Sequence, residues 1–232
     1  MVNLNSIINR KINLNQFVEI FFYTFPLSFI IGNLALTINS LIFAILSLVL
    51  IKKEKLTVKF NNVYWLLIAF YLYLILSTVI NFNVPGFLRY SVLGWDMTSH
   101  PVFKSFLMLR YLLLFYIIDV LITNKKININ FFFLSSLFCT SFVSLDIILQ
   151  YITGFDLFGF KSLGPKNPGP FNDELIAGGY LERFSFFSFF SFMHMSENYK
   201  NKKFSNIAFI FIIAFHSVAI LLSGNRMPLL LY

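Results

Sequence analysis

Three arginines and one pair of acids are the residues whose type and placement could do chemistry. Arg110 stands in the apolar stretch RYLLLFY, Arg183 closes the stretch NDELIAGGYLER, and Arg226 sits in LLSGNRMPLLL. A guanidinium is always charged and offers a planar fork of donors that matches phosphate or carboxylate oxygens. Asp173 and Glu174 lie shortly before Arg183. One of these carboxylates could act as a general base or orient a hydroxyl group. Neighbouring acids on a helix do not face each other, so at most one of the two need be catalytic. The pair could equally cap a short helix ahead of Leu175, Ile176 and Ala177.

Each arginine also has a plain structural reading. Arg110 lies about 10 Å below a membrane boundary if its helix rises ~1.5 Å per residue. A charge at that depth faces a cavity or a partner. Asp146 falls at a similar depth in the next apolar run, so the two could form an ion pair between helices, or Asp146 could hold a phosphate-binding Arg110. Arg226 follows Ser223-Gly224-Asn225, a turn with good N-cap chemistry, and Pro228 fits a first helical turn. It either snorkels to the interface or joins a helix N-terminus in holding an anion. Arg183, beside Glu182, is expected at the start of a helix with the same two readings. Asp119 and Glu19 are expected to be structural, near lysine clusters. His100, His194 and His216 share no ligand spacing, and Cys139 stands alone in an apolar run, so neither a metal site nor a disulfide is expected. The sequence contains no phosphate loop, nucleotide fingerprint or nucleophile elbow.

The elements that must carry these residues are set by composition. The chain is 58% hydrophobic and 12% charged, against roughly 25% charged for a soluble domain. Its apolar runs approach the ~20 residues that cross a bilayer. The expectation is an all-α polytopic transmembrane bundle, a single integral membrane domain over 1–232. Its helices fall near 14–32, 35–51, 62–80, 102–123, 131–152, 180–196 and 204–222, with an eighth beginning after Arg226. The first two are expected to form a hairpin about Gly32-Asn33. The eighth stops at Tyr232, which reads as a C-terminal truncation. The longest polar interruption, 154–183, holds six of the ten glycines and is expected to be an outer loop. Its Gly-Pro-rich first half reads as a spacer.

Lysine and arginine alternate between rich and poor loops. Rich sets at 10–11, 52–59, 125–126 and 200–203 belong inside by the positive-inside rule. The N-terminus is then cytoplasmic, and 81–101, 154–183 and 223–226 face outward. The net charge of +8 is spread in these short clusters between apolar runs, which argues against nucleic acid as a partner. Four of the five arginines fall at or near the outer side.

Two stretches carry a resemblance. Phe171, Asp173, Glu174, Ile176, Gly178, Tyr180 and Leu181, then Leu222, Ser223, Gly224 and Arg226, resemble paired motifs of bacterial O-antigen ligase and O-antigen polymerase-like membrane proteins. Leu230 after Arg226 fits an arginine-three-residues-leucine signature; Pro26, Leu27 and Gly32 and the helix around Arg110 are compatible with the same family. Asn225 stands where that family usually has glutamate. The family's later helices and large outer loop have no counterpart, so the chain resembles an amino-terminal part. The resemblance implies glycosyl transfer from an undecaprenyl-diphosphate-linked glycan at the periplasmic face of the bacterial inner membrane. It implies no cofactor and no metal. Asp173 or Glu174 would be catalytic, and Arg110, Arg183 and Arg226 would bind diphosphate or glycan. Other polysaccharide-assembly membrane proteins are the expected partners beside the bilayer. Polymerase and ligase are not separated. A secondary transporter, or a structural or nonfunctional membrane fragment, is the alternative from the residues alone.

Overall fold

The computed structural model describes residues 13–58, 60–80, 101–172, 174–197, 202–224 and 228. The described elements are all helical. They are α1 (Leu14–Tyr23), α2 (Phe25–Ile31), α3 (Asn33–Glu54), α4 (Asn62–Ile80), α5 (Pro101–Leu107), α6 (Leu109–Thr123), α7 (Ile129–Thr153), a 3-10 turn (Gly169–Phe171), α8 (Ala177–Glu197) and α9 (Lys202–Leu222). Four stretches are long and apolar enough to cross a membrane: α3, α4, Lys104–Thr123 and α7. The α1–α2 pair makes a fifth if it is one span, bent by 52°.

The bends are where the structure departs from the expected helices. Thr24 separates α1 from α2, and its hydroxyl turns back to the Phe21 carbonyl at 3.2 Å. Pro26, at the first turn of α2, costs nothing there because that N–H has no helical partner. Met108 separates α5 from α6, so Arg110 lies near the start of a helical piece rather than deep within one. Helix α8 begins three residues before the expected position, which puts Arg183 in its second turn rather than at its start. Although 21 residues long, α8 is not among the stretches apolar enough to cross on composition. Glu182, Arg183 and His194 lower its apolarity most, and its serines add to that. Ser185, Ser188 and Ser191 are buried, at helical spacing, on a face packed against neighbouring helices.

The chain forms two compact units, Met1–Leu46 with Ile127–Tyr232, and Ser47–Lys126. In the first, α7 packs along α8, and α9 packs on both. The core gathers Val143 and Ile147 of α7, Leu181 and Phe184 of α8, and Ala219 and Ile220 of α9, with Cys139 against it. Small hydroxyl residues line the α7–α8 seam. The Thr140 and Ser188 hydroxyls meet at 2.7 Å, and Ser144 reaches His216 Nδ1 of α9 at 2.8 Å. Small residues let membrane helices approach closely, and hydroxyls hydrogen-bond across the contact. At Gly32 (φ 125°) the chain turns, and α3 packs back on α1 and α2. Phe43 meets Phe22 and Phe25 with centroids 5.8 and 5.5 Å apart, and the Asn39 amide donates to Ser28 Oγ at 3.2 Å. The expected hairpin is present.

The second unit is tied by different polar contacts. Tyr64 of α4 donates to the Asp119 carboxylate of α6, and Lys126 forms an ion pair with Glu54. Asp119 is therefore held by a phenol rather than by lysine. Glu19, in the first unit, accepts from the Asn15 amide at 3.2 Å.

Candidate functional site

The 154–176 loop is a folded structure, not a spacer, in its first half. Buried side chains of α7 pin it. Asp146 accepts from Leu157 N–H at 2.8 Å. Gln150 accepts from Gly169 N–H at 2.8 Å and donates to the Phe160 carbonyl at 3.2 Å. Asp156, itself buried, accepts from Phe158 and Phe160 N–H groups at 3.0 and 2.6 Å. Each bond pairs a backbone group that burial would otherwise strand. Single antiparallel bridges at Phe155–Lys161 and Leu163–Lys166 fold the segment back on itself.

This folded loop is fastened to the end of α9. The Asn167 amide donates to the Leu222 carbonyl at 2.7 Å, and its backbone N–H reaches Ser223 O at 3.3 Å. Gly224 lies so close that a Cβ there would stand 2.8 Å from Pro165 O. The second resemblance motif thus meets the loop at Pro165–Asn167, ahead of the first motif.

Beyond the 3-10 turn the chain lines a cavity of about 540 Å³. Phe29 and Asn33 come from the α2–α3 hairpin, and Phe171, Leu175 and Ile176 from the loop. Gly179, Tyr180, Arg183 and Phe184 come from α8, and Pro228 from beyond α9. The walls are aromatic. Tyr180 stacks on Phe184 at 4.7 Å, Phe171 meets Tyr180 at 5.5 Å, and Phe29 meets Phe184 at 5.1 Å. The Tyr180 hydroxyl donates to the Pro26 carbonyl at 3.1 Å, joining α8 to the hairpin.

Of the expected site residues, Arg183 lines this cavity. It is exposed, and among the described residues its guanidinium has neither a hydrogen bond nor an ion pair. Glu174 is exposed in the turn next to the lining residues Leu175 and Ile176. Its N–H bonds to the Phe171 carbonyl at 3.1 Å, and its carboxylate makes no bond among the described residues. Since α8 starts at Ala177, Glu174 ends a turn rather than capping a helix directly. Asp173 and Arg226 lie outside the described residues, as do His100, Asn225 and the expected eighth helix apart from Pro228.

Arg110 belongs to the other unit. It is exposed, donates to the Tyr111 hydroxyl at 2.8 Å and lies 4.8 Å from that ring's centroid. Asp146, a candidate partner of Arg110, is engaged within its own unit on the loop. There its Oδ1 holds that loop. Among the described residues no group of three metal-ligating side chains occurs, and His194 pairs with the Asn130 amide at 3.1 Å.

The latch residues Gln150, Asp156 and Asn167 were not singled out by the sequence, and Asn33 was named only for the hairpin. Asn33 carried a signal, because it adjoins the hairpin glycine on the side that lacks lysine. The latch residues carried none, since their partners are backbone groups distant in the chain or within an irregular loop. No family model matches the chain, and neither does any curated protein or solved structure.

Proposed function

We propose that the chain is a membrane glycosyltransferase of the O-antigen polymerase or ligase type, acting on a glycan linked to a lipid diphosphate. In this reading about seven helices cross the membrane and an eighth begins, each near the ~20-residue length that requires. The N-terminus is cytoplasmic, the membrane is a bacterial inner membrane, and the cavity opens at its periplasmic face. The observation that carries the reading is the cavity itself. The early hairpin, the Phe171–Arg183 stretch and the segment after Ser223-Gly224 converge on one aromatic-walled space with Arg183 on its wall. Those are the three stretches of the resemblance that lie in this unit.

The chemistry follows from those parts. An acceptor hydroxyl attacks the anomeric carbon of the lipid-linked sugar, and the bond from that carbon to the diphosphate oxygen breaks. The electron pair leaves with the diphosphate, and the hydroxyl proton passes to a carboxylate, Glu174 or Asp173. Arg183 stabilises the negative charge that grows on the departing diphosphate. The N-terminus of α3, which opens at Asn33 beside the cavity, adds partial positive charge. Arg226 and Arg110 are further cations for diphosphate or glycan. The apolar walls suit the first isoprene units and exclude water.

The test is Arg183→Ala expressed in the source cell in place of the natural protein. Surface polysaccharide is read by gel and membrane abundance by immunoblot. Polymer should fall by about a hundredfold or more, the scale of removing one preorganised charge-stabilising group, at unchanged abundance. Normal polymer at normal abundance would refute the diphosphate role of Arg183.

A further inference from the structure

We propose that Asn33 is a ligand-binding residue of the cavity, which takes a hydroxyl or amide group that lies beside the anion on Arg183. This rests on the reading of the cavity as a lipid-linked glycan site. Among the described lining residues three carry polar side-chain groups: Asn33, Tyr180 and Arg183. The Tyr180 hydroxyl is committed to the Pro26 carbonyl at 3.1 Å, and Tyr180 is 5% exposed. Arg183 has donors and no acceptor. Of these three, Asn33 brings an uncommitted acceptor together with two donors.

An asparagine in the position before a helix ordinarily caps it, and Asn61 and Asn128 do so. Asn61 Oδ1 accepts from Val63 N–H at 3.0 Å, and Asn128 Oδ1 accepts from Asn130 N–H at 3.0 Å. Asn33 differs. Its carbonyl takes the Thr37 hydroxyl at 2.8 Å, while its side-chain amide makes no hydrogen bond among the described residues. The residue is anchored by its backbone and has its polar group free at the cavity wall.

A ligand that covers such an amide with hydrocarbon strands it, whereas a ligand that bonds it recovers the loss. The cavity therefore discriminates by what adjoins the anion. A bare isoprenyl diphosphate satisfies Arg183 only. A sugar diphosphate, with hydroxyl and acetamido groups next to the phosphate, satisfies both residues. Sites built around a substrate hydroxyl or N–H group reject analogues that lack it.

The experiment uses the 232-residue chain in phosphatidylethanolamine–phosphatidylglycerol nanodiscs with two probes, farnesyl diphosphate and farnesyl-diphospho-N-acetylglucosamine. Affinities are read by native mass spectrometry, with a thermal melt of each variant. Asn33→Leu should weaken the sugar-bearing probe about tenfold, the scale of one unpaired polar group, and leave the bare diphosphate within about twofold. Asn33→Ala should do the same with less change of volume. Arg183→Ala should weaken both probes. Equal loss of both probes in the Asn33 variants, or loss of neither, overturns the assignment of Asn33 while an Arg183 effect keeps the functional reading. A wild-type chain that binds neither probe overturns both.

Discussion

Gly224 is where the sequence motif and the folded loop constrain each other most tightly. Its φ is +75°, and an added Cβ would stand 2.8 Å from Pro165 O and 3.0 Å from Lys166 Cγ. Left-handed backbone alone costs a residue with a Cβ roughly 1–2 kcal/mol, and the Pro165 carbonyl cannot swing away as a side chain could. Gly224→Ala should therefore lower the thermal midpoint of the detergent-solubilised protein and loosen the Asn167 latch. Faster proteolysis in 154–170 is the local readout, and an unchanged midpoint and cleavage pattern would contradict it. At this scale the sequence was partly legible. Arg183 stands out because a charge in an apolar chain needs a reason, and it does line the cavity. Asn167 does not stand out, because its partner is the carbonyl of Leu222. A bond to a backbone carbonyl leaves no trace in residue type at the far end. Asp146 was legible as a buried charge, but its bond to Leu157 N–H was not, because a backbone N–H is invisible in a sequence.

Among the elements, apolar runs located the helices to within a few residues, but not the interruptions at Thr24 and Met108. A break needs only one backbone bond lost and regained, and nothing in Met108 or its neighbours advertises it. Helix α8 was legible as a helix and less so as the buried partner of α7. Its Ser185, Ser188 and Ser191 read as polar residues in a row until the facing Ser136, Thr140 and Ser144 of α7 are considered with them; all six are buried. This seam depends on size more than on hydrogen bonding. Thr140→Val removes one hydroxyl contact, but Ser188 retains the Phe184 carbonyl at 3.1 Å, so its cost should be about 0.6 kcal/mol, the average for such bonds between membrane helices. Ser188→Leu keeps the helix and forces the two backbones apart, with a cost of about 1–3 kcal/mol for overpacking. Unfolding titrations in mixed detergent micelles compare the two directly. A larger loss from Thr140→Val than from Ser188→Leu would show that the seam is held by its hydroxyls rather than by close approach.

For the chain as a whole, the sequence argument that reaches furthest is the alternation of lysine-rich and lysine-poor loops. The Gly32 turn, the 154–176 loop and the Ser223-Gly224 turn contact one another or line one cavity, so they share one end of that unit. The Asn130–His194 contact joins the beginning of α7 to the latter part of α8 at the other end. The Gly32 and Ser223-Gly224 turns carry no lysine, and the positive-inside rule expects such turns outside. Single cysteines at Lys166 and Lys202, in a chain carrying Cys139→Ser, test the direction. Lys166 is exposed on the loop, so Lys166→Cys should react with a membrane-impermeant maleimide on intact cells, or on spheroplasts where an outer membrane blocks access. Lys202→Cys should react only after permeabilisation. Labelling of position 202 alone from outside would invert the molecule. It would also place the Arg183 cavity on the cytoplasmic side, where a periplasmic glycan could not reach it. The same two cysteines therefore test the topology and the proposed chemistry together, because both depend on which end of the first unit faces out.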